Sequence, residues 1–166
     1  MSGGFRRIIG LLLLAALAGL AVLWWPTETR RITKLVEQLA LDGSFKPSEG
    51  NFLRLAKVQS VTGRFTEDAV LRFESLGISE HEYDGRDAIR ALMLLAQGLP
   101  TGLDIKVTDI DVTLGPLPTE ARVNLTASAN SGKQEGFTAQ EFLLQLVKRE
   151  GKWLIRSVEA VKTLRR

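Results

Sequence analysis

The pattern of apolar and polar residues divides the chain into two parts. The first part contains an uninterrupted apolar run. Residues 8–25 contain no charged side chain. As a helix they would extend roughly 27 Å, close to the thickness of the hydrocarbon core of a bilayer. This pattern predicts a membrane-spanning helix, with two indoles at its end where tryptophan favours the interface. The predicted span includes Ile8, Leu14, Leu20, Trp24 and Trp25.

The same N-terminal region, residues 1–27, has one feature of a cleavable signal peptide. Residues 16–18 read Ala-Leu-Ala, which resembles the small-residue pattern of a cleavage site. The apolar run continues past this site to Trp25, which favours an uncleaved anchor. Arg6 and Arg7 precede the run, and Arg30, Arg31 and Lys34 follow it, so the positive-inside rule does not decide the orientation. Short basic N-termini usually stay in the cytoplasm, which favours a cytoplasmic N-terminus. The interpretation is therefore a single-pass inner-membrane protein, with residues 28–166 forming one domain in the periplasm.

Helical periodicity dominates the first part of residues 28–166 and predicts three helices. Apolar residues fall on one stripe from Ile32 to Ala40. Pro47 suits the first position of a second helix, and Asp84 suits the N-cap of a third. Gly98 predicts the end of that third helix.

Strand periodicity dominates the remainder. A strand and its short partner are predicted between the second and third helices, and four strands follow the third. The phase of the alternation shifts near Thr108 and Asp109, which predicts a β-bulge. Glu150 and Gly151 predict a tight hairpin between the last two strands. Helices followed by a long antiparallel meander are the order of an α+β domain.

Composition removes several classes of function. The chain has no cysteine and one histidine, so disulfides, thiolate chemistry and a zinc site are not expected. Its net charge is only +3, with no basic face of the kind that binds nucleic acid. Phosphate-binding loops and dinucleotide glycine patterns are absent from the sequence. We therefore expect no cofactor, no metal and no nucleic-acid partner.

Two short motifs carry a family resemblance. Residues 83–89 read YDGRDAI and open the third helix, and residues 149–155 read REGKWLI and turn into the last strand. With the element order, they resemble the nuclear transport factor 2–like superfamily, which includes SnoaL-like and ketosteroid isomerase-like proteins. The resemblance implies three helices packed on a curved antiparallel sheet, a cone whose mouth often holds an apolar pocket. Homodimers through the sheet are common in such proteins, so the resemblance also implies a homodimer as a partner.

The resemblance bears on two of the three catalytic candidates. The isomerases use a tyrosine on the first helix, and the first helix here has none. SnoaL-like cyclases use an acid on a late strand, for which Glu141 and Glu159 are the counterparts. His81 is a third candidate, since histidine titrates near neutral pH, but it also fits a solvent-facing position on an edge strand.

These patterns favour a membrane-anchored, non-catalytic binding or assembly module whose partner is a protein or a small apolar ligand. The alternative is a SnoaL-like enzyme that transfers a proton on a small apolar substrate, with Glu141, Glu159 or His81 as the base. The absence of a recognisable acid–base pair in the sequence favours the first interpretation.

Overall fold

The computed structural model describes residues 27–75, 78–130 and 139–161. The residues of the predicted membrane span, Ile8, Leu14, Leu20, Trp24 and Trp25, lie outside these ranges. Within them, no helix has the length and apolar character needed to cross a bilayer. The elements are α1 (Glu28–Gly43), α2 (Asn51–Thr62), β1 (Phe65–Ser75), β2 (Ile78–Asp84), α3 (Gly85–Gln97), β3 (Asp104–Leu114), β4 (Glu120–Asn130), β5 (Gln140–Arg149) and β6 (Lys152–Ala160).

The six strands form one curved sheet in the order β2-β1-β6-β5-β4-β3. The prediction of a wholly antiparallel sheet is wrong, because β1 and β6 pair in parallel, with Leu71 opposite Val158. All other neighbouring strands in the described sheet are antiparallel. Alternation along one strand determines which side chains share a face, but it carries no information on the direction of the neighbouring strand.

The three helices cover one face of the sheet. Helix α1 packs on β3, α3 packs on β1 and β2, and α2 contacts both other helices. Apolar side chains from both layers fill the space between them, which explains the alternation predicted for β4. The largest of the fully buried apolar side chains are Ile32, Val36, Val58, Ile89, Val123, Leu146 and Ile155.

Helix α2 begins later than predicted. It starts at Asn51 with Gly50 at the N-cap, whereas Pro47 lies in a turn closed by a bond from the Glu49 amide to the Lys46 carbonyl at 3.1 Å. A proline with φ fixed near −65° suits the second position of a turn as well as the first position of a helix. The chain here uses it for the turn.

Several local predictions are confirmed. The pairing of β3 with β4 shifts between Thr108 and Asp111, and Asp109 has a φ of 52°. Glu150 and Gly151 form the predicted hairpin with φ values of 50° and 78°. Asp84 occupies the N-cap of α3, although its side chain makes no capping hydrogen bond.

The first residue of α1 is bound to the hairpin between β5 and β6. The indole Nε1 of Trp153 donates a 2.6 Å hydrogen bond to Glu28 Oε2, and Lys148 Nζ lies 3.0 Å from the same oxygen. The Lys148 ammonium also lies 5.7 Å from the centre of the Trp153 ring. The Trp153 hydrogen bond, followed by that of Lys148, holds the pKa of the Glu28 carboxyl below its ordinary value.

This cluster predicts a pH dependence of stability. Because the folded-state pKa of Glu28 is lowered, its contribution is present at neutral pH and is lost as the pH falls below about 4. Glu28→Gln should therefore lower the free energy of unfolding at pH 7 by about 1 kcal/mol, discounted for partial exposure, and by less in acid. Urea unfolding at pH 7 and at an acidic pH below about 4 measures these two losses of stability. Glu37→Gln, at an exposed position of α1, should change the free energy of unfolding at neither pH. Equal losses at both pH values would contradict the assignment.

Candidate functional site

The outer face of the sheet, defined as the face turned away from the helices, carries both predicted acids. In β4, Ala121, Val123 and Leu125 are buried beneath the helices, so the residues between them lie on the outer face. The register places Thr126 of this set opposite Glu141. Glu141 is therefore an exposed outer-face residue of β5.

Glu159 also lies on the outer face, where Arg72 binds it to a second carboxylate. Arg72 stands opposite Glu82 on one side and opposite Glu159 on the other. Its Nε and Nη2 each donate a 3.1 Å hydrogen bond to Glu82, and its Nη1 lies 3.6 Å from Glu159 Oε1. Hydrogen bonds from Arg72 hold the pKa of Glu82 below its ordinary value, and the same contacts raise the pKa of Arg72.

The sheet brings two of the three candidate residues close together. Glu159 stands opposite Leu143, and Glu141 is two residues from Leu143 on β5. The two acids are therefore diagonal neighbours, whose Cα atoms are typically roughly 7–8 Å apart. His81 lies in β2, where its backbone pairs with that of Phe73 in β1, but its side chain lies outside the described residues.

The helix-facing side of the sheet has a different composition. Among the described residues, the buried polar side chains are the uncharged Thr62 of α2, Thr66 of β1 and Gln97 of α3. Gln97 exchanges hydrogen bonds with the backbone and side chain of Arg54. No ionisable side chain of the described residues is buried in this interior. A general base there would have to come from a partly exposed position or from outside the described ranges.

A depression on the outer face, lined by neither Glu141 nor Glu159, was not predicted as a site. It encloses about 300 Å³, and its polar lining includes Arg122, Gln145 and Arg156. Arg122 stands directly opposite Gln145. The pairing of β5 with β6 shifts between Gln145 and Leu146, which leaves Arg156 as an extra residue in β6. Such a bulge redirects a side chain, here into the depression.

The arrangement of the depression suits the binding of an anion. Its two guanidinium groups offer planar pairs of donors that match a carboxylate or phosphate, and Gln145 adds an amide between them. The carboxylate of Glu120 also lines the depression and reduces its positive charge. Within the described ranges, no cluster of side chains has the composition of a metal site.

Comparison with solved structures identifies the fold. No protein-family model and no curated protein matches the chain. One similar structure is a cystatin-like, nuclear transport factor 2–like protein from Novosphingobium aromaticivorans, which is 16% identical. The superposition has a TM-score of 0.61 and covers 89% of this chain and 88% of that protein's chain. The fold is nuclear transport factor 2–like. This confirms the predicted fold in its coarser form, as three helices on a curved sheet, whereas the sheet is mixed and not antiparallel throughout.

Other solved structures that resemble the chain are described in unrelated terms. A proposed scytalone dehydratase from Novosphingobium aromaticivorans is 16% identical, with a TM-score of 0.64 over 82% of this chain and 85% of its own. A proposed calcium/calmodulin-dependent protein kinase II association domain from Xanthomonas campestris is 15% identical, with a TM-score of 0.60 over 83% and 89%. At such identities the likeness shows the fold alone.

Proposed function

We propose that the protein is a membrane-anchored binding or assembly module without a catalytic centre, and that the outer face of its sheet binds a protein partner. The observation that carries the proposal is the position of the two predicted acids. Glu141 and Glu159 lie on the outer face, and Glu159 is paired with Arg72. A general base must lie within hydrogen-bonding reach of a bound substrate. The outer face around Glu141 and Glu159 is open and does not enclose a substrate.

The outer face has the character of a recognition surface. Exposed Arg122 and Arg156 flank the depression, so the partner we propose carries acidic side chains that reach both guanidinium groups.

The anchor is the second part of the proposal. Residues 8–25 supply the apolar length, and α1 begins two residues after Pro26. The bonds of Trp153 and Lys148 to Glu28 tie this junction to the β5–β6 hairpin. The domain would therefore be held firmly at the point where the chain leaves the membrane, on the periplasmic side.

Capture of the full-length chain from its own host's membranes, after mild cross-linking, tests the proposal. We expect a stoichiometric protein partner, with recovery reduced about tenfold by Arg122→Ser combined with Arg156→Ser. Arg90→Ser, at an exposed position of α3, is the matched control and should retain the partner.

Three outcomes would change the proposal. Recovery of two copies of the chain and nothing else would favour a homodimer through the sheet. Recovery without any partner would contradict the assembly role. Turnover of a small apolar substrate that Glu141→Gln, Glu159→Gln or His81→Asn abolishes, with the fold retained, would establish the SnoaL-like enzyme instead.

A further inference from the structure

An apolar surface lies at one end of the helix layer, on the opposite side of the molecule from the proposed partner surface. The helix-layer patch consists of Phe52, Leu53 and Leu55 of α2, Leu94 and Leu95 of α3, and Leu99. Phe52 is 88% exposed and Leu95 is 75% exposed. Several large apolar side chains exposed at one end of a helix layer are the kind of surface feature that marks an interaction site.

Two reciprocal hydrogen bonds place the residues from α2 and α3 at the same end of the helix layer. Arg54 Nη1 donates to the Gln97 carbonyl oxygen at 3.2 Å, and Gln97 Nε2 donates to the Arg54 carbonyl oxygen at 2.7 Å. These bonds join the first turn of α2 to the last turn of α3. The exposed side chains on either side of this junction therefore lie at the same end of the helix layer.

Helix α1 connects the patch to the predicted anchor. It begins beside the apolar run and spans 16 residues, roughly 24 Å. Arg30, Arg31 and Lys34 are exposed in its first half, and Leu41 is 63% exposed near its end. The exposed surface of the helix layer, which faces away from the sheet, thus has cations near the anchor and apolar side chains farther away.

This distribution matches the surface of a bilayer. Cations close to the end of a membrane span attract anionic lipid headgroups, and apolar side chains on amphipathic helices enter the boundary between headgroups and acyl chains. Since all three helices cover one face of the sheet, a membrane contacted by the helix layer would leave the outer face of the sheet free.

We infer that the helix layer lies on the bilayer that holds residues 8–25, with the helix-layer patch inserted among the lipid headgroups. The inference rests on the proposed function, because the anchor brings the domain to the bilayer. It deepens that function by orienting the molecule: the outer face of the sheet, with Arg122 and Arg156, points away from the membrane towards the partner.

The absence of cysteine from the whole sequence permits a direct test. Single cysteines replace Leu95 in the patch, Leu14 in the predicted span and Thr126 on the outer face of the full-length chain. Each is labelled with a fluorophore in vesicles of phosphatidylethanolamine and phosphatidylglycerol, diluted to about one chain per vesicle. Nitroxide-labelled lipids quench from the bilayer, and iodide quenches from water.

We expect lipid quenching at Leu14→Cys and Leu95→Cys, and iodide quenching at Thr126→Cys. Iodide quenching at Leu95→Cys together with lipid quenching at Leu14→Cys would overturn the inference and leave the anchor standing. Failure of the Leu14→Cys chain to enter the bilayer would overturn both. A Leu95→Cys label shielded from both quenchers would indicate a protein contact and would also overturn the inference.

A charge placed in the patch provides the matched comparison. In a Phe52→Cys chain, Leu95→Glu should reduce lipid quenching of the label by at least about half, because a carboxylate resists transfer from water to lipid. Thr126→Glu in the same chain should leave the quenching unchanged. Both patch positions are highly exposed, so these variants should fold; unchanged quenching with Leu95→Glu would contradict membrane insertion of the patch.

Discussion

Replacing Leu146 with alanine should lower the free energy of unfolding by about 2–5 kcal/mol. Leu146 is 1% exposed and lies in β5 between Ala121 of β4 and Ile155 of β6. These neighbours are held by the sheet and cannot collapse into the space that the missing atoms leave. The loss therefore combines the transfer free energy of the side chain with the cost of a cavity.

Leu143→Ala is the matched control because the same side chain is removed from the same strand on the opposite face. Leu143 lies on the outer face opposite Asn124 and is only partly buried. Its truncation should lower the free energy of unfolding by about 1 kcal/mol or less. Denaturant unfolding of both variants gives the comparison, and equal losses would contradict the assignment of the two faces, and with it the position of Glu141.

The faces of the strands could be predicted from sequence because a strand has a strict period of two. Val123 and Leu125 alternate with Asn124 and Thr126, and this pattern alone identifies the buried face. The bulge at Asp109 was visible for the same reason, as a break in that period. Both features depend only on residues close together in the chain.

Features that depend on distant parts of the chain could not be predicted. The ion pairs of Arg72 with Glu82 and Glu159 require β1 to lie between β2 and β6. No local pattern in either strand specifies that neighbour or its parallel direction. The depression has the same origin, since Arg156 is an extra residue only relative to the register of β5.

The start of α2 depends on a contact between two loops. Phe45 and Leu103 exchange backbone hydrogen bonds of 2.8 and 2.9 Å. This bridge holds residues 45–50 outside the helix, and Arg54 donates to the Pro47 carbonyl at 2.8 Å. The favourable position of Pro47 at a helix start is overridden by these contacts, which also determine where the exposed Phe52 is presented.

Gly102 is the residue on which this bridge depends, and Gly102→Ala should lower the free energy of unfolding by about 2–4 kcal/mol. Its φ is 77°, a left-handed conformation that itself costs an alanine roughly 1–2 kcal/mol. An added Cβ would also lie 2.8 Å from the Phe45 carbonyl oxygen and 2.9 Å from Pro47 Cδ. Neither the backbone nor the proline ring can move aside without disturbing the bridge.

Gly151→Ala separates the two contributions. Gly151 has nearly the same φ, 78°, but its added Cβ would meet nothing within 4 Å. It should therefore incur only the conformational cost, so the excess loss in Gly102→Ala measures the close approach to Phe45. Denaturant unfolding gives both values, and hydrogen exchange should show faster opening of the Phe45 and Leu103 amides in Gly102→Ala alone. Equal losses and unchanged exchange would mean that the two loops do not meet as closely as described.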